Sequence, residues 1–185
     1  MSPTIIIIFV VVIVVIMGAI MAPTFARRRR SRKFQNKYGP EYERTVQTAG
    51  NDKKAQAELK DRQKHIDTLN IRPLSLAERE RYQAEWTTIQ ARFVDQPGQA
   101  TVEADHLIME VMKMRAYPVS DFDQRAADIS VNYPTLVSNY RAAREIAIKN
   151  EKHSANTEEL RQALIYYRSL FDELLKEEAV VPEKK

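Results

Sequence analysis

The stretch from Ile5 to Ala22 reads IIIIFVVVIVVIMGAIMA, 18 residues without a charged side chain. No other feature restricts so strongly what the chain can fold into. At about 1.5 Å per residue it makes roughly 27 Å of helix, close to the hydrocarbon thickness of a bilayer. Its β-branched residues favour a strand in water. In lipid, however, backbone groups must be satisfied within the segment, which selects a helix. The expectation is a single transmembrane helix within residues 1–26. A cleaved signal peptide, and hence an exported helical protein, is the rival reading, with Thr24-Phe25-Ala26 as a loose small-x-small site. Against it, Met1 to Thr4 carry no Lys or Arg, and cleavage after Ala26 would leave four arginines at the new terminus. A buried core helix is a third reading, and the all-round apolar character of the run argues against it.

Charge then sets the expected topology. Positions 27–37 hold seven basic residues (Arg27, Arg28, Arg29, Arg30, Arg32, Lys33, Lys37) and no acid. Lys and Arg beside a span stay on the cytoplasmic side. The N-terminus is therefore expected outside, with residues 27–185 in the cytoplasm: a single-pass protein of the cell membrane. Arg27 through Lys33 would fix this topology and meet anionic lipid, at about 1 kcal/mol per charge near the surface. The tract lacks interleaved aromatics, so no nucleic-acid partner is expected. Gly18 and Ala22 form a small-xxx-small pair compatible with a homodimer through the span. Residues 38–185 hold 22 basic against 25 acidic side chains, a net charge of −3, so the basic pI of 9.2 belongs to one short tract.

Behind the tract the chain reads as helical throughout. Gly39, Gly50 and Gly98, with Pro40, Pro73, Pro97, Pro118 and Pro134, fall only where apolar periodicity breaks. A short helix is expected over Glu41–Thr48, and a largely solvated one over Asp52–Leu69 with a thin stripe of Leu59, Ile66 and Leu69. Ser75 and Glu78 have capping-box spacing, and Tyr82, Trp86, Ile89 and Phe93 follow at intervals of 4, 3 and 4. Ala100, Ala104, Leu107, Val111 and Met114 repeat the pattern, as do Leu160, Leu164, Tyr167, Phe171 and Leu174. Ser120 with Asp123, and Thr157, are the expected caps of later helices. No window alternates as a strand would. The expected fold is all-α: a transmembrane helix, then a compact bundle of about five to six helices. Its divisions are an anchor over 1–26, a polybasic tract over 27–37, connecting helices over 38–73, a bundle over 74–176 and a loose tail over 177–185.

Catalytic patterns are scarce. With no cysteine, disulfides, thiol nucleophiles and cysteine-based metal sites are excluded. There is no phosphate-binding glycine loop, GxSxG elbow, HExxH or EF-hand loop, so no catalytic residue and no cofactor is assigned. Glu103, His106 and Glu110 share one helix at offsets of 3 and 4, and Glu-x-x-His is half of a bundle di-metal motif. A second such half is missing, which makes these residues weak metal candidates and leaves a metal-binding or enzymatic bundle as the alternative. Asp121-Phe122-Asp123 resembles a DxD pair, but two acids at a helix start are more simply explained by the cap and the helix dipole. The expected contact surface for a protein partner mixes aromatics and charges: Tyr38, Tyr42 and Arg44 on one side, Tyr117, Asp121 and Asp123 on the other.

Four stretches, YGPEYERTV (Tyr38–Val46), IRPLSLAERERYQAEWTTIQARFVDQP (Ile71–Pro97), EVMKMRAYPVSDFDQRAADISVNYP (Glu110–Pro134) and TEELRQALIYYRSLFDELL (Thr157–Leu175), together resemble an uncharacterised family of small bacterial proteins. The resemblance implies a helical domain behind an apolar N-terminal segment, and members are often labelled secreted. It implies no activity or catalytic residue. The functional expectation is a membrane-anchored cytoplasmic helical scaffold for an unidentified partner.

Overall fold

The computed structural model describes residues 29–176. The Ile5–Ala22 run, the Gly18/Ala22 pair, the Thr24–Ala26 site, Arg27, Arg28 and the tail from 177 onward lie outside the described residues. Residues 29–38 are helical and are termed α1. Seven helices follow: α2 Pro40–Ala49, α3 Asp52–Thr68, α4 Leu76–Arg92, α5 Pro97–Met114, α6 Phe122–Asn132, α7 Val137–Glu151 and α8 Thr157–Lys176.

The expected architecture is corrected at its span. Among the described residues none of the eight helices is long and apolar enough to cross a membrane, while the expected bundle over 74–176 holds five of them, α4 to α8. The physical reason is in their charge. Even α8, 20 residues long, is apolar along one stripe only, with Glu158, Arg161, Arg168, Asp172 and Glu173 between its core positions. The polybasic tract contributes a packed helix from residue 29 onward.

Local chemistry explains most boundaries. At the start of α4, the Ser75 hydroxyl accepts from the Glu78 amide while the Glu78 carboxylate accepts from the Ser75 amide, a complete capping box. Arg72 and both Ser75 donors hold the Glu78 carboxyl down at about 2. Two expected caps shift by one residue. Asp121, not Ser120, caps α6, accepting from the Gln124 amide at 2.9 Å, a bond that lowers its pKa. Asn156, not Thr157, caps α8, exchanging bonds of 2.9 Å with Glu159. In both cases a side-chain oxygen three residues before the amide it caps has the right reach.

The main core lies among α4 to α8. Trp86 stacks on Phe171 with ring centroids 4.8 Å apart, and Leu107, Ile108, Val111, Met112, Ile129, Tyr140, Tyr167 and Leu170 fill the space around them. Tyr82, Trp86 and Ile89 are buried as the spacing predicts, while Phe93, Met114 and Leu164 are only partly covered. A second, smaller cluster belongs to α1–α3: Tyr38, Tyr42, Ala55 and Leu59, with Phe34, Val46 and Ala49 against it. The sequence α1–α3 therefore folds around its own small core and meets the bundle chiefly through α3 on α6, where Ile66 joins the main core.

Candidate functional site

The α1–α3 unit is folded back on itself by two glycines. Gly39 sits at φ 50° and ψ −129°, a conformation that a side chain strongly disfavours, and Pro40 starts α2 immediately after it. Gly50 closes α2 at φ 82°, donating its amide to the Val46 carbonyl at 2.9 Å. Asn51 then caps α3 through the Lys54 amide at 3.0 Å. Helix α2 therefore returns along α3. Helix α1 runs beside α3 in the same direction, because Ser31 meets Asp52 and Gln56 while Lys37 meets Gln63 further along. Phe34 stacks on Tyr38 at 5.9 Å and lies 6.1 Å from Tyr42. The Tyr42 hydroxyl donates to Asp52 at 3.1 Å and accepts from Gln56 at 3.2 Å.

This packing opens a groove of about 530 Å³ between α1 and α3. Its walls are two pairs of lysines one helical turn apart, Lys33 and Lys37 on α1 and Lys60 and Lys64 on α3, with Phe34, Tyr38 and Gln63 between them. No carboxylate lines it. Lys37 donates to Gln63 at 2.6 Å, and its ammonium lies 5.0 Å from the Tyr38 ring centroid. Lys64 also meets Asp61 at 3.1 Å, but both side chains are over two-thirds exposed, so the pair contributes little. A neighbouring groove of about 500 Å³ is lined by Arg30 and Lys53 together with Asp52. The basic tract and α3 thus form a face on which cations predominate.

A buried carboxylate ties this face to the bundle. Glu41, 3% exposed, accepts from Arg62 of α3 at 2.8 Å and from both terminal nitrogens of Arg141 of α7, one at 2.9 Å. Arg62 also donates to Ser130 of α6 at 3.1 Å. Four helices therefore converge on one charge cluster. One turn along α3, His65 Nε2 lies 3.6 Å from the buried Asp128 of α6. Burial raises the Asp128 carboxyl, and a hydrogen bond from Gln124 opposes that rise.

Other chemistry in the bundle is structural in character. Asp105 lies 3.8 Å from Arg144, and burial pushes the nearby Tyr140 and Tyr167 hydroxyls upward, keeping both neutral. Arg115, 1% exposed, donates to the Tyr133 hydroxyl at 2.9 Å and to the Arg72 and Leu174 carbonyls, joining α5 to α8. Comparison with protein-family models, curated proteins and solved structures finds no match.

The expected site residues are placed as follows. Of the topology and lipid set, Arg29, Arg30, Arg32 and Lys33 lie on α1, and Arg27 and Arg28 lie outside the described residues. Of the expected contact surface, Tyr38, Tyr42 and Tyr117 are 2%, 5% and 3% exposed, so they build cores rather than offer surface. They also belong to separate clusters, Tyr117 to the main core and the other two to the small one. Arg44, Asp121 and Asp123 are exposed, Asp121 serving as the α6 cap. Glu103, His106 and Glu110 line an open groove of about 360 Å³ between α4 and α5. There Glu103 is engaged by Arg92 and, at 3.0 Å, by Gln99. Among the described residues no group of three or more His, Asp or Glu side chains gathers as a metal site.

Sequence reading missed Lys60, Lys64, Glu41, Arg62 and Arg141. The lysine pairs carried a weak signal, the same i, i+4 spacing on two helices. Nothing in the sequence announced that α1 would lie along α3 and bring the pairs together.

Proposed function

We propose that this protein is a helical binding module whose α1–α3 unit recruits an anionic partner, with the α4–α8 bundle as its rigid support. The observation that supports the reading is the groove with four lysines on its rim, aromatic rings on its floor and no acid in its lining. In water a single surface charge is screened within about 10 Å at 0.1 M salt. Four cations around one apolar-floored groove instead sum their fields at one place and present a low-dielectric wall beside them. The Glu41 cluster keeps α2 and α3 fixed on α6 and α7, and Phe34 and Tyr38 seat α1 against α3 through the small core.

Fluorescence anisotropy of a labelled polyglutamate peptide with the full chain tests this. The Lys60→Glu/Lys64→Glu variant should bind at least tenfold more weakly than the parent at 0.1 M salt, and the difference should shrink at 0.5 M. Equal affinity of parent and variant would refute the reading.

A further inference from the structure

The groove's shape and composition narrow the class of anion, and on the reading just given we propose that it takes a phospholipid whose headgroup carries two phosphates. Three observations converge on this ligand. The rim has two rows of cations, Lys33 with Lys37 and Lys60 with Lys64, each pair separated by about 6 Å of helix rise. One phosphate can sit between each pair. The rim cations are all lysines, compact ammonium charges that suit phosphate oxygens from several directions, whereas a carboxylate partner is best matched by the flat fork of arginine.

The floor supplies the second argument. Phe34, half-buried, offers an aromatic face backed by the buried Tyr38, and the lysine stems add methylenes on both sides. An acidic peptide brings charge without an apolar body to cover that floor. A phospholipid brings both, with glycerol and the first acyl carbons lying on Phe34 and the lysine stems while the phosphates meet the ammonium groups.

Continuity with the rest of α1 is the third. Arg29, Arg30 and Arg32 extend the positive charge from the groove toward the N-terminal end of the helix, and the sequence before it has no charged residue through position 26. A cluster of four to eight basic residues on such a helix is the pattern that attracts anionic lipid headgroups.

Lysine footprinting of the full chain distinguishes the sources of phosphate. The protein is mixed with vesicles of phosphatidylcholine alone, with vesicles containing about one third diphosphatidylglycerol, or with inorganic pyrophosphate. Acylation of Lys60 and Lys64 by an amine-reactive reagent is then followed by mass spectrometry. The expected result is at least tenfold protection with the diphosphate lipid and no protection with phosphatidylcholine. In the Lys60→Glu/Lys64→Glu variant, protection of Lys33 and Lys37 should be lost, because two attractive charges beside them become repulsive. Both variant positions are exposed, and an unchanged circular dichroism spectrum verifies folding. Protection by pyrophosphate as complete as by the lipid, equal protection in both vesicle types, or retained Lys33 and Lys37 protection in the variant overturns the lipid assignment. If polyglutamate binding still depends on Lys60 and Lys64 in that case, the broader anion-binding reading stands and only the lipid assignment falls.

Discussion

Replacing Glu41 with alanine removes the one acid that two arginines share at the joint between α1–α3 and the bundle. Its side chain is 2% exposed, while those of Arg62 and Arg141 are 18% and 13% exposed. Deleting one member of a fully buried ion pair costs about 3–5 kcal/mol, because the other is left buried and unpaired. Here each arginine keeps some water, and Arg62 keeps Glu58 and Ser130, so the expected cost is lower, about 2–3 kcal/mol. The loss should fall on docking of the hairpin rather than on the bundle, since no core residue of α4, α5 or α8 bonds Glu41. At 1.4 kcal/mol per decade, opening of α2 and α3 would become roughly 30–150-fold more frequent. Hydrogen exchange read by mass spectrometry, peptide by peptide, measures it. Amides of α3 should lose protection by that factor while those of α8 change less than threefold. Equal loss in α8, or a change under threefold in α3, would refute the claim that Glu41 acts as a local clamp. Glu41→Gln, which keeps oxygen acceptor capacity but not charge, should fall between parent and alanine.

Asp128→Asn should stabilise the protein at pH 7, because burial raises the Asp128 pKa and its charged form is disfavoured in the fold. A raised carboxyl weakens the parent above its folded pKa, so the advantage of the variant should vanish as urea melts are taken to acid pH. Glu78 has the opposite sign: its pKa of about 2 lies below the ordinary value of 4.5, so its contribution is present above about 4.5 and lost as pH falls toward 2. Thermal melts of Glu78→Gln should therefore show a shallower acid limb across that window than the parent. Trp86→Ala should cost about 3–5 kcal/mol in urea unfolding followed by circular dichroism, since Trp86 is fully buried against Phe171. Gly50→Ala should cost about 1–2 kcal/mol in the same assay; space around Gly50 is open, so the cost arises from its φ of 82° alone.

Helix periodicity was the legible part of the fold. The intervals of Tyr82, Trp86 and Ile89, or of Leu160, Tyr167, Phe171 and Leu174, repeat one face per turn, and each face found the core. Caps were legible within one residue, because adjacent Ser, Asp, Asn and Thr side chains can each accept from the amide three positions on and sequence alone does not select among neighbours. Partnering between helices was not legible. Tyr38 and Tyr42 looked like exposed aromatics beside charges, and only the fold-back at Gly39 and Gly50 places them against Leu59. The same fold-back turns Glu41 inward to Arg62 and to Arg141, 100 positions away, a separation that no local pattern encodes. The basic tract has no apolar period to announce packing, yet Phe34, with Tyr38 just after the tract, is enough to seat it on α3.

The placement of the lysine groove also makes the molecule electrically lopsided. Residues 29–38 carry five basic side chains and no acid, whereas residues 39–176 carry 20 basic against 22 acidic, a net of −2. An approaching negative surface therefore meets attraction at one end and weak repulsion over the remainder. Rotational diffusion in that field turns the groove forward before any contact forms, and encounter rates gain from the bias as long as the surrounding salt is dilute. Orientation on arrival is thus set by the charge pattern, while the grip that follows is set by the lysines and rings of the groove.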